Sequence, residues 1–301
     1  MRITRAMMND QAQWNISRIL RDFGKLQSQL ASGVKVEYPS DDPVVALRAS
    51  DMSSKLREFE QYKRNANTAK NYLGSLDSAV QEYISLLHRM KELVVKGASD
   101  TLNDTDRLAI VTELREIQEH IANIANTRVG GRYIFSGTAS DHPPAIKDEN
   151  GRYTLGLPLG TRNLSTAVLG QRVEYTLTAN DVFITQSGES IFKAIDRIIE
   201  HLENPEDAGL LLNSADIASV DLALERALEA TAKIGGTSRL LEYLDNRLND
   251  LQTYSTEVLS KEQDADLTEV VTNLATKQAA LQAALKSAAQ VLQPTLLDFL
   301  E

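Results

Sequence analysis

The sequence predicts a mainly α-helical protein with a β-rich insertion, built from nested long helical rods and paired N- and C-terminal coiled-coil arms. Three observations carry that expectation. Near the start, Ala12, Ile16, Ile19, Phe23, Leu26 and Leu30 advance in steps of four and three, and near the end Leu267, Val271, Leu274, Leu281, Leu285 and Leu292 fit one helical face. Between these stripes lie long stretches with almost no helix breaker. The helical period lapses only in the middle, where short β-branched and aromatic runs alternate with Gly, Pro, Asn and Asp clusters.

The first helix is predicted from about residue 8 to 31 and stops at Gly33, whose missing Cβ suits the left-handed position that ends helices. Residues 1–36 form the N-terminal arm, expected to pair with the C-terminal arm. After an extended piece, Asp42 reads as a helix cap with Pro43 at the first helical position, and Asp41 adds favourable charge. From Pro43 to Lys96 the only internal breaker is Gly74, and Ala69, Leu73, Leu76, Val80, Tyr83, Leu87, Met90 and Val94 make a seam. At 1.5 Å per residue such a helix is roughly 80 Å long. Gly97 ends it, and after a segment rich in capping residues Ile110, Leu114, Ile117, Ile121 and Ile124 fold back, so that 37–136 is a rod hairpin.

Residues 137–190 read as a β-rich outer insertion, with RYIF, RYTL and RVEYTLT as the strand-like runs in and before it. Its ends are expected to lie close together, so that a short linker replaces it without opening the helical core. Ile191, Ala194, Ile195, Ile198 and Leu202 restore the helical period, and a long helical pattern follows from about 213 to 261, bent or split at Gly235 and Gly236. This returning rod spans 191–264. The acidic EQDAD segment then leads into the C-terminal arm, 265–301.

That arm carries an unusual run. Residues 278–297 hold a single charge, Lys286, so the helix has almost no solvated face and should be buried all round. Burial is expected in an assembly of several copies, with an intramolecular four-helix bundle as the alternative. The expected assembly interface is Ile16, Ile19, Phe23, Leu26, Leu30, Leu267, Val271, Leu274, Leu281, Leu285 and Leu292. Residues 1–36 hold six Lys/Arg against two Asp/Glu, and 241–301 hold four against ten, so charge is expected to help match the arms. Exposed ion pairs contribute only ~0 to 1 kcal/mol each, which leaves most of the free energy to the apolar seams.

Composition narrows the function. A net charge of -10 without any Lys/Arg run argues against a nucleic-acid partner, and Gln278, Gln282, Gln290 and Gln293 interrupt the best candidate for a membrane span. With no cysteine there is no disulfide, thiolate metal site or thiol nucleophile. The first residues lack an apolar signal region, so export is expected by a route without a cleaved signal peptide. His88, His120, His142 and His201 lack metal-ligand spacing, the Asp41–Asp42 pair is explained by capping, and the paired glycines fit no phosphate loop. No catalytic, cofactor-binding or metal residues are expected, and no enzyme.

The run LASGVKVEYPSDDP at 30–43 is similar to the junction between terminal helix and rod in the flagellin family of bacterial flagellar proteins. The segment NTRVGGRYIFSGT at 126–138, the opening MRITRAMM and the ending QPTLLDFLE resemble the hook-associated side of that family. The resemblance covers both terminal thirds and implies a structural adaptor that joins hook to filament by self-assembly. It further implies an extracellular place in the flagellum, type III export with a dedicated chaperone, and a ring of copies of itself. The implied neighbours are the first hook-associated protein, flagellin and the filament cap protein. Flagellin itself is the alternative, and a secreted adhesin or effector with a ligand-binding insertion is a third reading.

Overall fold

The computed structural model describes residues 5–98, 103–149, 151–158, 160–185, 187–204 and 215–292. It divides into two compact units, the first drawn from 1–58 and 251–301 and the second from 59–250.

In the first unit, helix α1 runs Arg5–Ser32. It stops where expected, because Gly33 takes φ +73° and its N–H bonds back to the Gln29 carbonyl at 2.9 Å. Helix α2, Pro43–Gly97, begins here. Asp42 Oδ1 accepts from the N–H groups of Val44 (3.0 Å) and Val45 (3.1 Å), which satisfies donors that a helix start leaves unpaired. The end of α6, Ile217–Gln263, and all of α7, Leu267–Leu292, complete the unit. Asp266 caps α7 through Thr268 N–H at 2.9 Å and Glu269 N–H at 3.2 Å.

A short backbone ladder joins the two ends of the chain in this unit. Lys35 N–H donates to the Gln263 carbonyl at 2.7 Å, and Ala265 N–H to the Gly33 carbonyl at 2.9 Å. The turn after α1 therefore holds the turn between α6 and α7, and fixes where α7 starts.

The second unit contains the rest of α2, helix α3 (Asp104–Ala125), α5 (Ile191–Glu203) and most of α6. Asn103 caps α3 by accepting from Asp106 N–H at 2.8 Å, with Asp104 and Asp106 adding negative charge in the first turn. The whole α2 seam read from sequence, Ala69 to Val94, is buried against Ile110, Leu114 and Ile121 of α3, Ile195 and Ile198 of α5, and Val220, Ala227, Leu241 and Leu248 of α6. Helix α6 passes through Gly235 and Gly236 without a break, so the expected bend or split is not a helix end. Its 47 residues pack a continuous stripe, and two glycines cost less than that packing supplies.

Among the described residues, 128–190 form three small antiparallel hairpins, a 3-10 turn at Gly137–Ala139 and a single turn of α-helix. Strand β1 (Arg128–Val129) pairs with β2 (Arg132–Tyr133), β3 (Ala145–Lys147) with β4 (Tyr153–Leu155), and β5 (Ser165–Val168) with β6 (Gln171–Glu174). Helix α4 is Ala179–Phe183. Main-chain bridges tie Ser136 to Thr178 and Ile184 to Ser190, on either side of α4.

The expectation that this region sits outside the helical core does not hold. Ile134, Phe135, Val168, Val173, Leu177, Val182 and Phe183 belong to the same buried cluster as the helices. Phe183 meets Tyr83 of α2 edge-on at 4.9 Å between ring centroids, and Phe135 at 5.2 Å. The physical reason is that α2 is longer than α3 and α5, and its apolar face needs cover where they end.

Candidate assembly interface

The candidate site is the pair α1 and α7. They run antiparallel, with Ala265 held beside Gly33 and Lys277 Nζ 2.7 Å from Asp22 of α1. Ile16, Ile19, Phe23 and Leu26 face the partner helix and are half-buried. From α7 the facing positions are Val270, Leu274, Lys277, Leu281, Ala284 and Ala288, again in steps of four and three. Alternation of large and small side chains lets two helices approach closely along such a seam.

Of the six apolar residues read as one face of α7, the five described side chains are divided between two faces. Leu274 and Leu281 lie in the seam with α1, whereas Leu267 (52%), Val271 (50%) and Leu285 (51%) are half exposed on another side. Each residue rotates the helix by 100°, so Val270, 7% exposed, takes the inner place and Val271 turns away. Val270 was missed in the sequence because Val271 fits the same period one residue later. Leu30 is likewise outside the seam, at 37% exposed, because Gln29 faces inward where α1 approaches its end. The side chain of Leu292 and residues 293–301 lie outside the described residues.

Among the described residues, helix α7 is therefore covered on one side only, not all round. Its open side carries Leu267, Val271 and Leu285 with Ala275, Gln278, Gln282 and Ala289 between them. The outer side of α1 adds Trp14 and Leu20, and the first unit also exposes Tyr38, Val44 and Leu47. Completing the burial of a half-exposed Leu or Val stabilises by about 1 kcal/mol each.

Charge adjusts the pairing rather than drives it. The ion pair across the seam joins an acidic residue of the basic arm to a lysine of the acidic arm, the reverse of the net charges. The hydrogen bond from Lys277 holds the Asp22 carboxyl below the usual carboxylate range. Lys25 of α1 reaches Asp41 at 2.7 Å and lowers its pKa in the same way. Asp41 thus ties the α1 helix to the start of α2, a role beyond the helix-end charge expected of it.

A second electrostatic feature lies in the second unit and was not legible in the sequence. Asp216, fully buried just before α6, receives Arg197 Nε at 3.0 Å and lies 2.6 Å from His201 Nδ1. Arg197 also pairs with Glu189, and these bonds outweigh the burial that would lower its pKa, so the guanidinium is held firmly charged. The cluster pins the start of α6 to α5. Among the described residues, no group of three or more His, Cys, Asp or Glu is placed to hold a metal ion.

Comparison with known proteins agrees with this architecture. The profile of the bacterial flagellin N-terminal helical region matches residues 3–140. Flagellar hook-associated protein 3 of Escherichia coli is 26% identical over 284 residues, covering 88% of this chain and 89% of its own. Its namesake from Salmonella typhimurium is 27% identical over 290 residues, covering 91% of each. The crystal structure of the flagellar junction protein from Legionella pneumophila shares the fold with a TM-score of 0.61, at 16% identity over 72% of this chain and 99% of that one. With an N-terminal region that matches the flagellin profile and relatives matched along nine-tenths of their length, the chain is similar to flagellar hook-associated proteins 3.

Proposed function

We propose that this chain is a structural subunit of the bacterial flagellum that joins hook to filament, assembling with copies of itself through the α1 and α7 pair. The observation that carries the reading is similarity over about nine-tenths of the chain to two flagellar hook-associated proteins 3. The half-covered α7 supports it, because apolar side chains left open along a whole helix side need a partner helix. Neighbouring copies, the first hook-associated protein, flagellin and the cap protein are the partners this role requires. Export to the cell exterior then precedes assembly, with a chaperone covering the apolar terminal segments until they pair. The chain acts by geometry and carries no catalytic role.

Electron microscopy of a strain lacking the gene tests the reading. Intact hooks without filaments, with flagellin released into the medium, are expected. Filaments of normal length would overturn it, and loss of the hooks themselves would place the protein earlier in assembly.

A further inference from the structure

Helices α2 and α6 cross the second unit as an antiparallel pair. Lys63 lies 2.8 Å from Asn249, Lys70 3.3 Å from Asp245, and Lys91 2.6 Å from Asp221. In that register Gly74 of α2 lies within one turn of Gly235 and Gly236 of α6. A Cβ built on any of the three meets no atom within 4 Å, so nothing in this chain excludes alanine there. Each glycine weakens its helix relative to alanine, and here both long helices are weakened at one level. Arg239 Nε also bonds to the Gly235 carbonyl at 3.3 Å, competing for an acceptor of the helical ladder.

The bundle changes thickness at the same level. Arg89 of α2 pairs with Glu113 at 2.6 Å, and counting along the antiparallel helices from that pair puts the end of α3, Ala125, within a turn of Leu76. Helix α5 runs antiparallel to α3, with Gln118 Nε2 2.7 Å from Asp196 and Arg115 2.6 Å from Glu203, so its first residue, Ile191, falls at that level too. On one side of the level α2 and α6 pack with α3 and α5. On the other they continue without α3 and α5, covered by the β-rich region through Asn65 Nδ2 to the Ala167 carbonyl at 3.0 Å and through the Tyr72 hydroxyl, which donates to the Ile134 carbonyl at 3.3 Å. Two of the four helices end at this step, and the glycines lie on it.

We propose that Gly74 with Gly235 and Gly236 forms a hinge that lets the two-helix stem, residues 59–73 and 237–250, flex against the four-helix part of the same unit. The hinge is a property of the single chain and stands apart from the junction reading. The experiment uses the full chain, which has no cysteine of its own, with spin labels at Gln61→Cys and Glu116→Cys, both exposed. Pulsed dipolar spectroscopy on the monomer is expected to give a broad distance distribution that narrows about twofold in Gly74→Ala/Gly235→Ala/Gly236→Ala. Amide exchange over 71–78 and 232–240 is expected to slow by about fivefold per alanine. Gly24→Ala in α1, also free of Cβ contacts, should change neither quantity. Equal widths with and without the three alanines overturn the hinge. Equal widths with loss of self-assembly also overturn it, and identify the glycines instead as a surface that a neighbouring molecule packs against.

Discussion

Phe183→Ala should destabilise the helices as well as the hairpins. Phe183 is 1% exposed and its ring meets Tyr83 at 4.9 Å and Phe135 at 5.2 Å, so truncation leaves a cavity between α4, α2 and the segment after β2. Phe to Ala in a packed core costs about 3 to 5 kcal/mol, as the lost transfer free energy and the cavity add. For a cooperative unit of the size of 59–250, each kcal/mol moves Tm by roughly 2 to 4 °C, which gives a fall of about 6 to 20 °C. The assay is thermal unfolding followed by far-ultraviolet circular dichroism, which reads the helices. Ile146→Ala, at an exposed position of β3, is the control and should shift Tm by less than about 2 °C. A helical melt unchanged in Phe183→Ala would refute the shared core, and would restore the region 137–190 as an independent outer piece that a linker can replace.

Three further outcomes follow from the same geometry. Leu281→Asp puts a charge into the α1–α7 seam and should separate the two helices in the monomer, whereas Leu285→Asp, on the open side, should leave the monomer intact and stop self-assembly; circular dichroism and light scattering on both variants check the contrast. The pairing of α1 with α7 should be insensitive to pH above about 5. Because Asp22 and Asp41 have pKa values lowered in the fold from 3.8, their contribution is complete above that value and is lost as pH falls through the lowered ones, so acid titration of arm protection by hydrogen exchange should show loss only below about 4. Tyr83 is fully buried, its hydroxyl has no hydrogen-bond partner among the described residues, and burial pushes its pKa up; Tyr83→Phe should therefore leave Tm unchanged or raise it by the equivalent of about 1 kcal/mol, and a fall of several degrees would reveal a partner for the hydroxyl.

Most of the fold was legible because long helices repeat their packing rule many times. The eight-residue seam of α2 gave its buried face, and Gly33, Asp42, Pro43 and Gly97 gave the helix ends, since each residue has one local reason for its place. Where one residue decides between two faces, periodicity was too coarse: Val270 and Val271 both fit a helical stripe, and only the register set by Gly33 and Ala265 chooses the first. The merging of the β-rich region into the core was hidden for another reason. Short runs such as RYIF and RVEYTLT show that strands form, but Phe135 and Val173 do not say what covers them. The Asp216 cluster joins residues of α5 to the start of α6 by long-range contact, and such partners leave no pattern in a single sequence.

Immunogold labelling of intact flagella with an antibody to residues 137–190 tests the central claim most directly. The account predicts one narrow band of label where hook meets filament, and none along the filament. Label distributed along the whole filament would contradict it and make the chain a filament subunit, while absence from the flagellum would remove the structural role altogether.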